Sequence, residues 1–166
     1  MRLIPGLLLS LSLAALTGCL YGFSGGGLPP AIKTVAVIPF ENLTSEPALT
    51  QEINRAVREA VESRLGLRQA GENQADAIVR GTIQRYEPDV PIAFTGDQNR
   101  GADVTRRKVL ITVNVQIFDQ KAQKILWERQ GLTVEGDYDR TQEAQGRQKA
   151  LQRLISDIVD GAQSQW

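Results

Sequence analysis

The chain has no histidine and one cysteine in its 166 residues. Each absence removes a class of chemistry. A single Cys closes no internal disulfide, so no disulfide framework holds the fold. Without His, and with one thiol, the usual zinc ligand sets cannot be assembled in one chain. Ser-His-Asp and Cys-His nucleophilic arrangements are excluded on the same ground. Aromatic residues make up 5% of the chain, too few for base-stacking platforms. Formal net charge is zero, with 19 basic and 19 acidic side chains, so no overall field draws the chain to nucleic acid. Ser-x-x-Lys, Gly-x-Gly-x-x-Gly and Walker sequences do not occur. The sequence thus offers no catalytic set, metal site or cofactor motif, and the expectation is a non-enzyme.

The one Cys stands at position 19, and its neighbourhood gives it a role. Arg2 supplies a basic start, and an apolar run follows from Leu3 to Leu16. The run is shorter than the ~20 residues of a membrane-spanning helix and suits a signal-peptide h-region. It ends in Leu16-Thr17-Gly18-Cys19, the pattern of a bacterial lipobox. In such a chain residues 1–18 are cleaved away and Cys19 carries the acyl groups. Several chains, at about 0.8 kcal/mol per buried CH₂, hold a membrane far more firmly than one. Leu20 in place of Asp favours sorting to the outer membrane. The remaining 148 residues carry 18 basic and 19 acidic side chains. Residues 19–31, with Gly25-Gly26-Gly27 and Pro29-Pro30, read as linker. Residues 32–166 are expected to form one domain.

Six elements are expected in that domain, in the order β-α-β-β-β-α. Lys33–Phe40 alternates with apolar residues on both faces, Val35 and Val37 against Ala36, Ile38 and Phe40, as an internal strand does. Pro47 opens a helix carrying Ile53, Val57, Ala60, Val61 and Leu65 at helical spacing, and Gly66 ends it. Asp76–Tyr86 places Ala77, Val79, Gly81 and Ile83 on one face and Arg80, Thr82 and Gln84 on the other. Pro88–Thr105 reads as a long connection. Arg107–Asp119 alternates most cleanly, with Val109, Ile111, Val113, Val115 and Ile117 in phase. A turn over 119–123 leads to a return strand over Lys124–Glu135. There Ile125 and Trp127 share a face, while Leu132 and Val134 have the other parity. A bulge at Gly131 restores the phase. Asp139 and Gln142 resemble a capping box for a last helix, about 141–162, whose stripe is Ala150, Leu151, Leu154, Ile155, Ile158 and Val159. The fold class is α+β, a two-layer sandwich of a four-stranded mixed sheet with both helices on one face.

One local feature suggests binding. Arg106-Arg107-Lys108 opens the clean strand, with Arg106 and Lys108 opposite the apolar face. Arg80 and Arg85 come near if the second and third strands pair. Such a cluster can hold phosphates by charge-assisted hydrogen bonds, and it can equally be a solvated strand end that blunts an edge. Asp137 and Asp139 close a strand and open a helix, which explains them without acid–base work.

Several stretches resemble one family when taken in order. They are Tyr21-Gly22-Phe23-Ser24-Gly25, Leu28-Pro29-Pro30, Ile32 to Val37, Pro39-Phe40-Glu41-Asn42-Leu43-Thr44 and Ser45-Glu46-Pro47. Asp76-Ala77, Arg80-Gly81-Thr82, the strand Val109–Val115 and Ile125-Leu126-Trp127-Glu128 continue the series. Together they resemble the lipopolysaccharide-assembly lipoproteins, LptE. The resemblance implies an outer-membrane lipoprotein that sits in the lumen of the LptD β-barrel as a plug. It further implies support of barrel assembly and contact with lipopolysaccharide, for which Arg106, Arg107, Lys108, Arg80 and Arg85 are the candidate residues. The implied partners are an LptD-type barrel, lipopolysaccharide and, through the anchor, the membrane; nucleic acid is not among them. A regulator of a cell-wall synthase, or a curli-type secretion lipoprotein, is the other reading of Val-x-Pro-Phe-x-Asn. The short gap from Cys19 to Lys33 argues against the long reach that a synthase regulator needs.

Overall fold

The computed structural model describes residues 28–97, 101–139 and 141–164. The leader, Cys19 and the linker as far as Gly27 lie outside the described residues. The elements are β1 (Thr34–Val37), β2 (Glu41–Asn42), α1 (Ala48–Ser63), β3 (Arg68–Gln69), β4 (Ala77–Asp97), β5 (Gly101–Asp119), β6 (Lys124–Asp139) and α2 (Glu143–Gln163). A 3₁₀ turn over Glu72–Gln74 precedes β4.

The sheet runs β3-β1-β4-β5-β6, with β2 also paired to β4. β1 is parallel to β3 and to β4, and β4-β5-β6 is an antiparallel meander. The expected class, α+β with a mixed sheet and two helices, is what the chain forms. The sheet has six strands where four were expected. The additions, β2 and β3, are two residues each, too short to show a period. β1 stops at Val37, because Ile38-Pro39 breaks the ladder and Pro39 has no N–H to give. The turn carries Phe40 into the core cluster, and its N–H donates to Oδ1 of the buried Asn54 on α1 at 3.1 Å.

The core lies between the sheet and both helices. Val35, Ala77, Val79, Ile83, Val109, Ile111, Val113, Val115 and Ile117 are buried against Leu49, Ile53, Val57 and Val61 of α1 and Ala150, Leu154 and Ile158 of α2. The contact of α2 with β6 is closest where two glycines meet. A Cβ on Gly136 would lie 1.9 Å from the Gly146 carbonyl oxygen, and one on Gly146 would lie 2.8 Å from that of Gly136. Backbone therefore rests directly on backbone at the start of α2.

Three expectations about local phase need correction. Pro88–Thr105 is not a loop: β4 and β5 continue through it as a two-stranded ribbon. Four register shifts between Ile83 and Phe94 absorb its prolines, which is how a strand tolerates them. Ile125 and Trp127 do not share a face. A register shift at Leu126 pairs Trp127 with Ile117 on the core side and leaves Ile125 opposite Phe118, half exposed. The expected bulge at Gly131 is present, with φ +64° and its N–H donating to Asn114 Oδ1 at 2.7 Å. Asp139 makes no capping box: Gln142 occupies the N-cap position of α2, and no side chain caps that end.

Candidate interaction surface

The sheet face away from the helices gathers four of the five sequence-predicted cations. Strand pairing places Arg80 opposite Gln116, Arg85 opposite Thr112, Lys108 opposite Asp137 and Arg106 opposite Asp139. The shift at Gln84 turns Arg85 onto this face, since unbroken alternation from Ile83 would have turned it inward. Counted along β5, Thr112 and Gln116 lie four and eight residues from Lys108. Arg85 and Arg80 therefore stand about 14 and about 27 Å from it along the strand at ~3.4 Å per residue. The register brings Arg106 and Lys108 together and leaves Arg80 apart. Arg107 points to the opposite side, next to Tyr138 across the ladder.

Every one of these cations has a partner. Lys108 Nζ lies 2.8 Å from Glu135 Oε2, and Arg106 lies 3.3 Å from Asp137 and 3.7 Å from Asp139. Arg107 is bonded to Asp89, and Arg85 lies 3.4 Å from Glu87. Arg80 donates to Gln116 Oε1 at 2.6 and 2.9 Å and lies 5.7 Å above the Phe118 ring. The hydrogen bond from Lys108 holds the Glu135 carboxyl below the usual carboxylate range. Counted back from the turn after Asp119, the acids of β6 fall in register with the basic run of β5. The expected return strand ends at Glu135 and leaves Asp137 and Asp139 outside it, which is why sequence reasoning missed the match; the two bulges together move the pairing by two residues and keep the same side chains facing. The result is a lattice of alternating charge with no surplus of one sign.

Arg107 belongs to a second setting at the same end of the sheet. It lines an open hollow of about 610 Å³ with Pro88, Asp89, Asp103, Val104 and Tyr138. Tyr138 closes one wall by donating its hydroxyl to the Pro88 carbonyl at 2.7 Å. Beside it, Tyr86 donates to Glu143, while Arg147 lies 3.2 Å from both Glu143 and Glu52. Burial, and then the bond to Glu143, pushes the Tyr86 phenol above its ordinary range. This network ties β4 to both helices. No pattern in the sequence marked it, since its four members come from three separate elements. Among the described residues no cluster of three or more His, Cys, Asp or Glu side chains is arranged to hold a metal. No described helix is long and apolar enough to cross a membrane.

A mixed sheet with one helix-covered face and one open face, charge-paired at the Arg106–Lys108 end, defines a two-layer α+β module. Solved structures share that fold at low identity. The hypothetical protein CT253 from Chlamydia trachomatis matches with a TM-score of 0.52 at 11% identity, over 79% of this chain and 98% of its own. The PelC dodecamer from Paraburkholderia phytofirmans matches with a TM-score of 0.51 at 12% identity, over 84% of this chain and 95% of its own. No curated protein matches by sequence. The family model for LptE, lipopolysaccharide-assembly, matches residues 32–164. The chain belongs to the LptE family, and with it to the outer-membrane-associated lipoproteins of lipopolysaccharide assembly.

Proposed function

We propose that the chain is anchored through acylated Cys19 in the outer membrane and plugs and supports an LptD-type β-barrel that inserts lipopolysaccharide into the outer leaflet. In this reading it is a non-catalytic partner. The observation that carries the reading is the helix-free sheet face. Around Arg106 and Lys108 its side chains are charged and mutually paired, so that end stays polar without a strong field of one sign, while Ile78, Phe118 and Ile125 form an apolar row at the other end. The lumen of a wide barrel is polar and accepts such a surface. Depleting the chain in cells is expected to raise misassembled barrel and lower surface lipopolysaccharide. Normal surface lipopolysaccharide after complete loss refutes the reading.

Contact with lipid A or core phosphates is assigned to Arg106, Arg107 and Lys108, with Arg85 and Arg80 further along β4. A phosphate reaching Arg106 and Lys108 would exchange with the carboxylates of Asp137, Asp139 and Glu135. The double substitution Arg106→Gln with Lys108→Gln is expected to weaken lipopolysaccharide binding several-fold in a pull-down with purified lipopolysaccharide. Its melting temperature should stay close to that of the parent, because exposed ion pairs contribute about 0–1 kcal/mol each. Unchanged binding reduces the cluster to a paired strand end.

A further inference from the structure

Among the described residues β6 pairs along its whole length with β5 alone and forms one edge of the sheet, the outer part of β4 beyond Ile83 forming another. A free edge of 16 residues is a template for another strand, whether of a second copy or of a different chain. Its backbone carbonyls alternate sides, so those at residues 131, 133, 135, 137 and 139 project together. Three of these five accept a hydrogen bond from a side chain, and the Asp139 carbonyl accepts from the Gln142 N–H at 3.2 Å. Arg153 donates to the Glu135 carbonyl at 2.8 Å, and Lys149 donates to the Asp137 carbonyl at 2.9 Å. Thr133 donates its hydroxyl to the Gly131 carbonyl at 3.3 Å. Lys149 and Arg153 are one turn apart on α2, which matches two residues along the strand below. Arg153 also lies 3.7 Å from the Glu135 carboxylate, which keeps its guanidinium over the edge. Nearer the turn, the shifts at Leu126 and Gly131 interrupt the straight run that a second strand would need.

We infer that Lys149 and Arg153 close the edge of β6 against strand addition by a second copy of this chain. Two cations placed from a neighbouring helix occupy two adjacent outward acceptors that a pairing strand would use, and they bring like charge against their counterparts on an approaching copy. The inference concerns self-association and stands whether or not the barrel is the partner.

The test is sedimentation velocity of the full chain in density-matched detergent over a concentration series. Lys149→Ala with Arg153→Ala should self-associate at a concentration at least tenfold below the parent. Lys149→Arg with Arg153→Lys retains both donors and should sediment like the parent. Arg55→Ala with Arg58→Ala removes the same charge from the exposed side of α1 and should also sediment like the parent. Far-UV circular dichroism checks that each variant keeps its fold. Parent-like sedimentation of the folded Lys149→Ala, Arg153→Ala protein overturns the inference. Equal association of the α1 control overturns it too, because loss of charge would then be the cause.

Discussion

Gly136→Ala should destabilise the chain by about 3 kcal/mol or more, at the upper end of what overpacking a core costs. The reason is what the new methyl meets. It would stand 1.9 Å from the Gly146 carbonyl oxygen and 2.7 Å from the Ala150 nitrogen, and both are main-chain atoms of α2. A side chain can rotate away, but a helix backbone cannot yield at one residue, so α2 must lift from β6 as a unit. Gly146→Ala meets the same contact from the other side, with the Tyr138 ring at 2.6 Å in addition. The two sites share one contact, so their costs should not add: the double substitution should cost clearly less than the sum of the singles. Gly71→Ala is the control. A Cβ there meets nothing within 4 Å, and the backbone angles are ordinary for any residue. Urea midpoints of the four proteins check the claim. A Gly136→Ala midpoint within error of the parent would remove the glycine contact from the account of stability.

Asp76→Ala is expected to cost about 2 kcal/mol, because three part-buried donors lose one acceptor and a buried donor left without one costs ~1–3 kcal/mol. One oxygen of Asp76 accepts from the Lys33 N–H at 3.0 Å, the Thr34 N–H at 3.0 Å and the Thr34 hydroxyl at 2.9 Å. The other oxygen lies 2.6 Å from Lys121 Nζ. The residue thus fastens the start of β1 to the start of β4 and to the β5–β6 turn. The Lys121 contact first, and then the amide of Lys33, holds the Asp76 carboxyl well below the usual carboxylate range. The sign follows from linkage. A carboxyl more acidic in the folded chain favours folding wherever it is ionised, so its contribution is complete above the ordinary Asp value near 3.9. It is lost as pH falls from there toward the folded value. Asp76→Asn should therefore be less stable than the parent at pH 7, by a gap that narrows as pH falls below the ordinary Asp value. Urea titrations at pH 7 and pH 2.5 measure this; an equal gap at both pH values would contradict it.

Much of the fold was legible wherever one side chain in two had to be dry. Val109 to Ile117 shows that alternation without interruption, and the stripes of α1 and α2 repeat at helical spacing. The parity change between Trp127 and Leu132 even located the bulge at Gly131, since a single extra residue is what reverses a period of two. The ribbon was illegible for the converse reason. Beyond Ile83 β4 has no second neighbour, so nothing forces alternation there, and its prolines and glycines read as turn. The shift at Leu126 escaped notice because Ile125 and Trp127 are both apolar, and burial on either face fits them equally. The basic run was visible and its acidic partners were not. Finding them required carrying the return strand past Glu135 to Asp139, where no apolar alternation on the open face marks it. The Asp76 clamp depends on residues brought together from distant parts of the chain, and the Gly136–Gly146 contact depends on how α2 folds back on β6; no local pattern announces either.

The continuous run of β4 has a mechanical consequence. Twenty-one residues at ~3.3 Å each span roughly 65 Å, and the strand is held between two neighbours as far as Ile83. The part beyond, roughly 46 Å at that rise, is the lever arm, and a tilt of ten degrees there would sweep the far tip through about 8 Å. Small play at one end of the molecule thus becomes a large search radius at the other, where half-exposed Ile92 and exposed Phe94 are carried.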